Sequence, residues 1–206
     1  MIPAPALTAQ LAGKLLLIFD FDGTIADSSP LHEQAFREVL RPHEIEVDYP
    51  RIAGRATRDA MRLCYTLSGK AEPEAGLLND LVEQKQRRGR ELLSSSLMAF
   101  PAAEALLNWA RPRFRLALVS SGSRATIDIS LAKLGMSDWF EYLITADDVS
   151  AAKPDPQGFL MALNRTGVEA DAALIFEDAE SGFEAARRAG VDVVDARQLA
   201  ELVIEG

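Results

Sequence analysis

Short apolar runs and longer amphipathic stretches alternate along most of this 206-residue chain, and the period of each stretch predicts its element. Five consecutive apolar residues at 15–19, Leu-Leu-Leu-Ile-Phe, suit a strand buried on both faces of a parallel sheet. Comparable short runs lie at 114–119, 142–145, 173–176 and 191–194. Between them, helical spacing predicts a helix carrying Ala102, Ala105, Leu106 and Trp109 as its apolar stripe, and others over 124–134, about 156–165, 179–189 and about 199–204. Gly190 is suited to closing the fourth of these. Strands alternating with helices in this way predict an α/β fold of βαβ units around a parallel sheet.

The middle of the chain breaks the alternation. Ala35, Phe36, Val39 and Leu40 mark one helical stripe after a start at 27–30, and Ala60, Leu63, Cys64 and Leu67 mark a second. A third helix is expected from 73 toward 93, with Leu77, Leu78, Leu81 and Val82 inside and Lys85, Arg87, Arg88 and Arg90 on a solvated face. The expected organisation is therefore a core of residues 1–28 and 96–206 interrupted by a small helical domain at 29–95. Small polar residues and prolines at 27–30 and 94–101 mark two candidate hinges. Residues 1–10 are expected to be a frayed lead-in.

Composition narrows the function classes. Apolar residues make up 48% and charged residues 26% of the chain, ordinary values for a globular protein, and no apolar run is long enough to span a membrane. The N-terminus lacks the basic and uninterrupted apolar regions of a secretory signal, and the lone Cys64 fits a reducing compartment; a cytoplasmic location follows as the expectation. Cys64 itself lies on the second helical stripe and is expected to be core. Net charge is −9, and residues 30–95 hold eleven basic and eleven acidic side chains, so the whole acidic excess lies outside that segment. No basic stripe is present, which excludes the usual route to nucleic-acid binding. An anionic substrate would need local cations, and a monomer acting on a small molecule is expected.

Those cations and their partners fall at strand ends. Asp20 and Asp22 follow the first strand two residues apart, so they leave it on the same side, and Gly23 permits a sharp turn directly after them. Two carboxylates in one space need a compensating cation or a retained proton. Ser120 ends the strand at 114–119, Glu177 and Asp178 end the strand at 173–176, and Lys153 stands in the proline-stiffened Ala-Lys-Pro-Asp-Pro. In an open parallel sheet, ligands bind outside the carboxyl ends of strands where the strand order reverses. Carboxylates, a hydroxyl and an ammonium there suit Mg²⁺, whose shell is usually completed by substrate phosphate.

Asp-Phe-Asp-Gly-Thr at 20–24, Ser120 after its strand, Lys153-Pro-Asp-Pro, and Glu177-Asp178 ahead of Gly182 together resemble the four ordered motifs of the haloacid dehalogenase superfamily. The match spans most of the chain. It is most similar to the β-phosphoglucomutase-like branch, whose helical cap is inserted just after the first motif, and within that branch to bacterial sugar-phosphate phosphatases. The resemblance implies a Rossmann-like doubly wound sheet with an inserted α-helical cap, and a Mg²⁺-dependent phosphomonoesterase acting on a sugar phosphate such as fructose 1-phosphate.

It also implies roles. Asp20 would be the nucleophile that forms an aspartyl phosphate, and Asp22 would protonate the leaving oxygen and then take a proton from the hydrolytic water. Ser120 and main-chain N–H groups near Phe21 and Ser121 would hold phosphoryl oxygens, and Lys153 would offset their charge. Asp20, the Asp22 carbonyl and Asp178 would bind Mg²⁺, with Glu177 either a further ligand or acting through a metal-bound water. In the cap, Gly54, Arg55 and Arg58 occupy the position of a substrate-recognition loop, although a solvated helix face accounts for the arginines equally well. His32 stands at a spacing shared with related mutases, and an ordinary surface or core histidine accounts for it equally well. A phosphosugar mutase and a non-catalytic phosphometabolite-binding protein are the competing readings. Dehalogenation is disfavoured because it needs neither Asp22 nor Mg²⁺.

Overall fold

The structure, a computed structural model, describes residues 2–204. It comprises two compact units, one formed by Met1–Asp27 and Met98–Gly206 and the other by Ser28–Leu97. Five parallel strands organise the first: β1 (Leu16–Phe19), β2 (Arg115–Val119), β3 (Tyr142–Ile144), β4 (Ala173–Glu177) and β5 (Asp192–Asp195), in the spatial order β3-β2-β1-β4-β5. β1 is thus central, with β2 on one side and β4 on the other, and Phe19 lies opposite both Leu118 and Phe176. The order reverses at β1, and its carboxyl end opens into the crevice that such a reversal creates.

All four β1 residues are buried. Leu16 and Ile18 join one core with Ala117, Val119, Ile144 and Ile175 of the neighbouring strands, covered by Phe159, Ala162 and Leu163 of helix Gln157–Thr166 and by Ala185, Ala186 and Ala189 of helix Glu180–Ala189. Strand alternation sends the intervening residues to the other face. There Phe19 stacks on Phe176 with ring centroids 4.5 Å apart and meets the edge of Phe140 at 6.5 Å. This is the α/β parallel sheet expected from the alternation, in the doubly wound form that the family resemblance implies.

Several local expectations are corrected. Residues 1–10 are no frayed lead-in over their described part, since Pro5–Leu11 is a helix with Leu7 and Leu11 buried and Ile2–Pro3 pairs antiparallel with Val203–Ile204. The final helix stops at Leu202 because the chain then enters that ribbon. Leu15 is 60% exposed and precedes β1. Helix Pro101–Ala110 buries Ala103, Leu106, Leu107 and Ala110 instead of the stripe through Ala102, Ala105 and Trp109, a rotation of about one residue. Alanines define a face poorly because they add little apolar area to either alternative.

The second unit is helical: Ser29–Leu40, a short turn of helix at Tyr49–Ile52, Thr57–Leu67 and the 22-residue Ala75–Ser96. Its core joins Phe36, Val39 and Leu40 to Met61, Cys64, Leu78 and Leu81. Leu77, expected inside, is 38% exposed. Lys85, expected in solvent, is buried, because the inward stripe of its helix runs through Leu78, Leu81, Lys85, Gly89 and Leu92 at helical spacing. Its ammonium lies 4.6 Å from the Phe36 ring centroid and 3.3 Å from His32 Nδ1.

Candidate active site

The end of β1 carries Asp20, whose N–H still donates to Phe176 O at 3.0 Å, so its backbone is held in line with the sheet while its side chain leaves the last apolar layer. The chain then turns through Gly23 at φ +88°, a conformation that glycine adopts without steric cost. The Ile25 and Ala26 N–H groups both donate to Phe21 O, closing the turn tightly. Asp20 is buried and Asp22 half-buried.

Lys153 reaches this point from its own loop, where the Lys153-Pro154 peptide is cis. Its ammonium donates to Asp20 Oδ1 at 2.5 Å, to Glu177 Oε2 at 2.7 Å and to Val119 O at 3.2 Å, and it lies 5.2 Å from the Phe159 ring centroid. Lys153 thereby ties together the ends of β1, β2 and β4. Glu177 is only 1% exposed, and its second oxygen, Oε1, accepts the main-chain N–H groups of Asp178 and Ala179, each at 3.2 Å. Asp178 is half-buried; Oδ1 accepts Thr24 Oγ1–H at 3.2 Å, and a side chain on Gly23 would overlap this carboxylate.

Ser120 is buried and its Oγ accepts Gly122 N–H at 3.0 Å, whereas Ser121 is exposed. The following helix starts at Arg124 with Ser123 at the capping position, so Ser120 is not its cap. A cavity of about 220 Å³ opens beside Ser120, Ser121 and Lys153, walled by Val119, Ile144, Thr145 and Phe159 among others.

Electrostatically, the cluster carries more negative than positive charge. Burial pushes the Asp20 carboxyl well above its ordinary value; the Lys153 ammonium opposes this, and Glu177 and Asp22 reinforce it. Asp178 is also raised, first by burial and then by Glu177. Lys153 moves upward despite its burial because two carboxylates face it. Oxygen atoms of Asp20, Glu177 and Asp178 all lie within 4.8 Å of one another. Hard oxygen donors, closely spaced and short of positive charge, fit a divalent cation such as Mg²⁺.

Asp20, Lys153, Glu177 and Asp178 thus converge in the first unit, with Ser120 at the end of the adjacent strand. The expected recognition residues belong to the second unit. Gly54 is exposed at φ +74°, Arg55 is exposed with its Nε on Arg51 O at 3.2 Å, and Arg58 is exposed with Nη2 on Asn79 Oδ1 at 2.6 Å. His32 is half-buried beside Lys85. Sequence reasoning gave no role to Thr24 or Phe159 and none to Gly182 beyond marking a motif. Thr24 had a usable signal, a hydroxyl directly after the Asp-x-Asp-Gly turn, but its partner lies 154 positions away.

The family model for haloacid dehalogenase-like hydrolases matches residues 17–196. The chain belongs to the haloacid dehalogenase-like hydrolase family. It is 33% identical over 187 residues to the fructose-1-phosphate phosphatase of Escherichia coli K12, covering 89% of this chain and 96% of that protein. To the validoxylamine A 7'-phosphate phosphatase of Streptomyces hygroscopicus subsp. limoneus it is 32% identical over 194 residues, 89% of each chain. The crystal structure of a β-phosphoglucomutase from Clostridium difficile superposes with a TM-score of 0.77 at 24% identity, covering 94% of this chain and 91% of that one, which establishes the shared fold. Among the described residues, no helix of this haloacid dehalogenase-like hydrolase is long and apolar enough to cross a membrane.

Proposed function

We propose that the chain hydrolyses the phosphate monoester of a small metabolite, a sugar phosphate such as fructose 1-phosphate, through a phosphoryl group carried transiently on Asp20. The observation that carries the reading is the Lys153 ammonium at 2.5 Å from Asp20 and 2.7 Å from Glu177, at the central strand end beside a buried Ser120. A buried cation set among carboxylates is costly as structure alone, and it supplies fixed charge where an incoming phosphate needs it. The similarity to the fructose-1-phosphate phosphatase of Escherichia coli and the validoxylamine A 7'-phosphate phosphatase of Streptomyces supports the same reading.

In the first step an Asp20 carboxylate oxygen attacks phosphorus, the phosphorus–alkoxide bond breaks, and Asp22 gives its proton to the departing sugar oxygen. In the second, water attacks phosphorus, Asp22 takes its proton, and the bond from phosphorus to Asp20 breaks to release inorganic phosphate. Ser120 and Lys153 hold phosphoryl oxygens through both steps. Asp20 and Asp178, with the Asp22 carbonyl that the family resemblance adds, would hold Mg²⁺; when bound, it supplies charge neutralisation at the phosphoryl oxygens. Substrate selection is assigned to the helical unit, with Gly54, Arg55, Arg58 and His32 as its candidate contacts and Ser121 as a candidate contact in the first unit.

The test is a phosphate-release screen over sugar 1- and 6-phosphates, phosphoglycolate and nucleotides, with and without Mg²⁺. Stoichiometric free sugar and inorganic phosphate, the latter labelled from oxygen-18 water, are expected for at least one sugar phosphate. Phosphorus NMR showing a sugar 1-phosphate converted to the 6-phosphate with little inorganic phosphate would replace hydrolysis with mutase chemistry. No release from any substrate and no phosphorylated Asp20 would leave only a binding protein.

A further inference from the structure

Gly182 lies in the third position of helix Glu180–Ala189, where alanine is the better helix former and glycine has no conformational advantage, since its φ is not in the left-handed region. Helix propensity alone therefore favours replacing it. Its surroundings oppose that: a Cβ at position 182 would overlap the Cγ, Cδ and Oε2 atoms of Glu177. A flexible side chain could ordinarily swing aside, but Glu177 is 1% exposed and held at both oxygens, Oε1 by the N–H groups of Asp178 and Ala179 and Oε2 by Lys153. Three of the roughly four acceptor sites of a carboxylate are thus already used.

We infer that Gly182 and Glu177 are a size-matched pair of positioning residues, the missing side chain at 182 providing the space in which the Glu177 carboxylate holds the Lys153 ammonium against Asp20. Glu177 acts on Asp20 through Lys153, and its place in the oxygen cluster with Asp20 and Asp178 depends on the same space. Asp178 is seated in a parallel way against Gly23, but there the left-handed backbone also demands glycine. At Gly182 the close approach is the demand that remains. This inference rests on the hydrolytic reading for its kinetic consequence and on the contacts alone for its structural one.

The experiment combines crystal structures, thermal melts and steady-state kinetics for Gly182→Ala, Glu177→Ala and the double variant, each with Mg²⁺ present. Gly182→Ala is expected to displace the Glu177 carboxylate from Lys153 in the crystal and to lower kcat by about 100-fold with KM within about threefold, as for misplacement of a catalytic group by about 1 Å. Glu177→Ala removes all three atoms that a Cβ at position 182 would overlap, so Gly182→Ala should lower Tm in the wild-type background and leave it unchanged or raise it in the Glu177→Ala background. A Glu177–Lys153 contact unchanged in the Gly182→Ala crystal, a kcat for Gly182→Ala within about twofold of wild type, or an equal loss of Tm from Gly182→Ala in both backgrounds would each overturn the inference. Should Gly182→Ala not fold, a double variant that melts like Glu177→Ala supports the size match, and a double variant that fails to fold where Glu177→Ala folds overturns it. If the wild-type protein hydrolyses nothing, the crystal arm still decides the inference, and only the functional reading falls.

Discussion

In the α/β unit, ionisable side chains have been taken out of water and set against one another, whereas in the helical unit most of them remain in solvent. Asp20, Glu177 and Lys153 are all buried or nearly so, and Lys153 binds both carboxylates. The helical unit pairs Arg37 with Glu33 and Arg62 with Glu72 at its surface, and leaves Arg55 and Arg58 on weak polar contacts. Exposed pairs contribute about 0–1 kcal/mol, so such a surface tolerates substitution easily. Desolvating an ion costs several kcal/mol, and an apolar replacement is often as stable. Retaining such a cluster at the central strand end therefore points to chemistry, while the exposed arginines of the helical unit point at most to selectivity. Lys85 is the exception within its unit, a buried cation between an aromatic face and His32.

The hardest test of this contrast is Asp20→Asn. The amide is no nucleophile and loses a cation ligand, so turnover should fall by about 10³-fold or more while the cooperative melt is retained. Activity within about tenfold of wild type would break the comparison at its centre. Lys153→Met should be almost as severe and should also affect the fold, because it strands two buried carboxylates. A loss of about 3–5 kcal/mol in urea unfolding is expected. The matching change in the helical unit, Arg62→Met, should stay within about 1 kcal/mol.

A smaller effect sharpens the electrostatic side. Asp20 and Asp178 are both raised above their usual values in the folded chain, so over the range just above the unfolded value of 3.8 the folded state binds more protons than the unfolded state. Stability of the metal-free protein should therefore fall as pH rises through the folded values, by linkage. Mg²⁺ favours the ionised carboxylates. It should raise Tm more near about pH 7 than near about pH 5, and a saturating concentration about 100 times Kd corresponds to about 2.7 kcal/mol. Thr24→Val removes one hydrogen bond to Asp178 and should weaken Mg²⁺ binding by about tenfold or less in calorimetry while leaving Asp20 reactive. An equal Mg²⁺ effect at both pH values would mean that these carboxylates are not its ligands.

The parts legible in the sequence were those whose signal is local. The run at 15–19 stops at Asp20, and a strand buried on both faces needs such a run, so the strand at 16–19 and the place of the candidate site at its end were readable from one stretch, with only Leu15 misplaced. The Asp20–Lys153–Glu177 contacts were expected as a cluster because each residue ends or follows a predicted strand of a parallel sheet. Lys85 was misread on residue type even though its position continues the stripe Leu78–Leu81, and helical period outweighs charge when an aromatic face receives the ammonium. The ribbon between Ile2–Pro3 and Val203–Ile204 joins the two ends of the chain and has no local signature at all. The same holds for Gly182 and Thr24, whose importance lies in what faces them.

The finest distinction concerns Arg55 and Arg58, where the helical unit is expected to set selectivity without setting chemistry. Arg58 already spends one N–H on Asn79 and Arg55 one on Arg51 O, both at the surface, so neither is held rigidly by a buried partner. Alanine at either position should change stability by no more than about 0.5 kcal/mol. Loss of contact equal in ground and transition states would raise KM for the affected substrate and leave kcat alone, whereas a contact to one sugar only would change the ratio of kcat/KM values between sugars. Arg55→Ala and Arg58→Ala are thus expected to shift the preference among sugar phosphates by about 3- to 30-fold, with kcat for the best substrate within about threefold of wild type. Measuring kcat/KM for each variant against the same set of sugar phosphates decides it. Ratios unchanged in both variants would make these side chains solvated helix surface, and the search for selectivity would move to His32 and Lys85, the buried-side pair of the same unit.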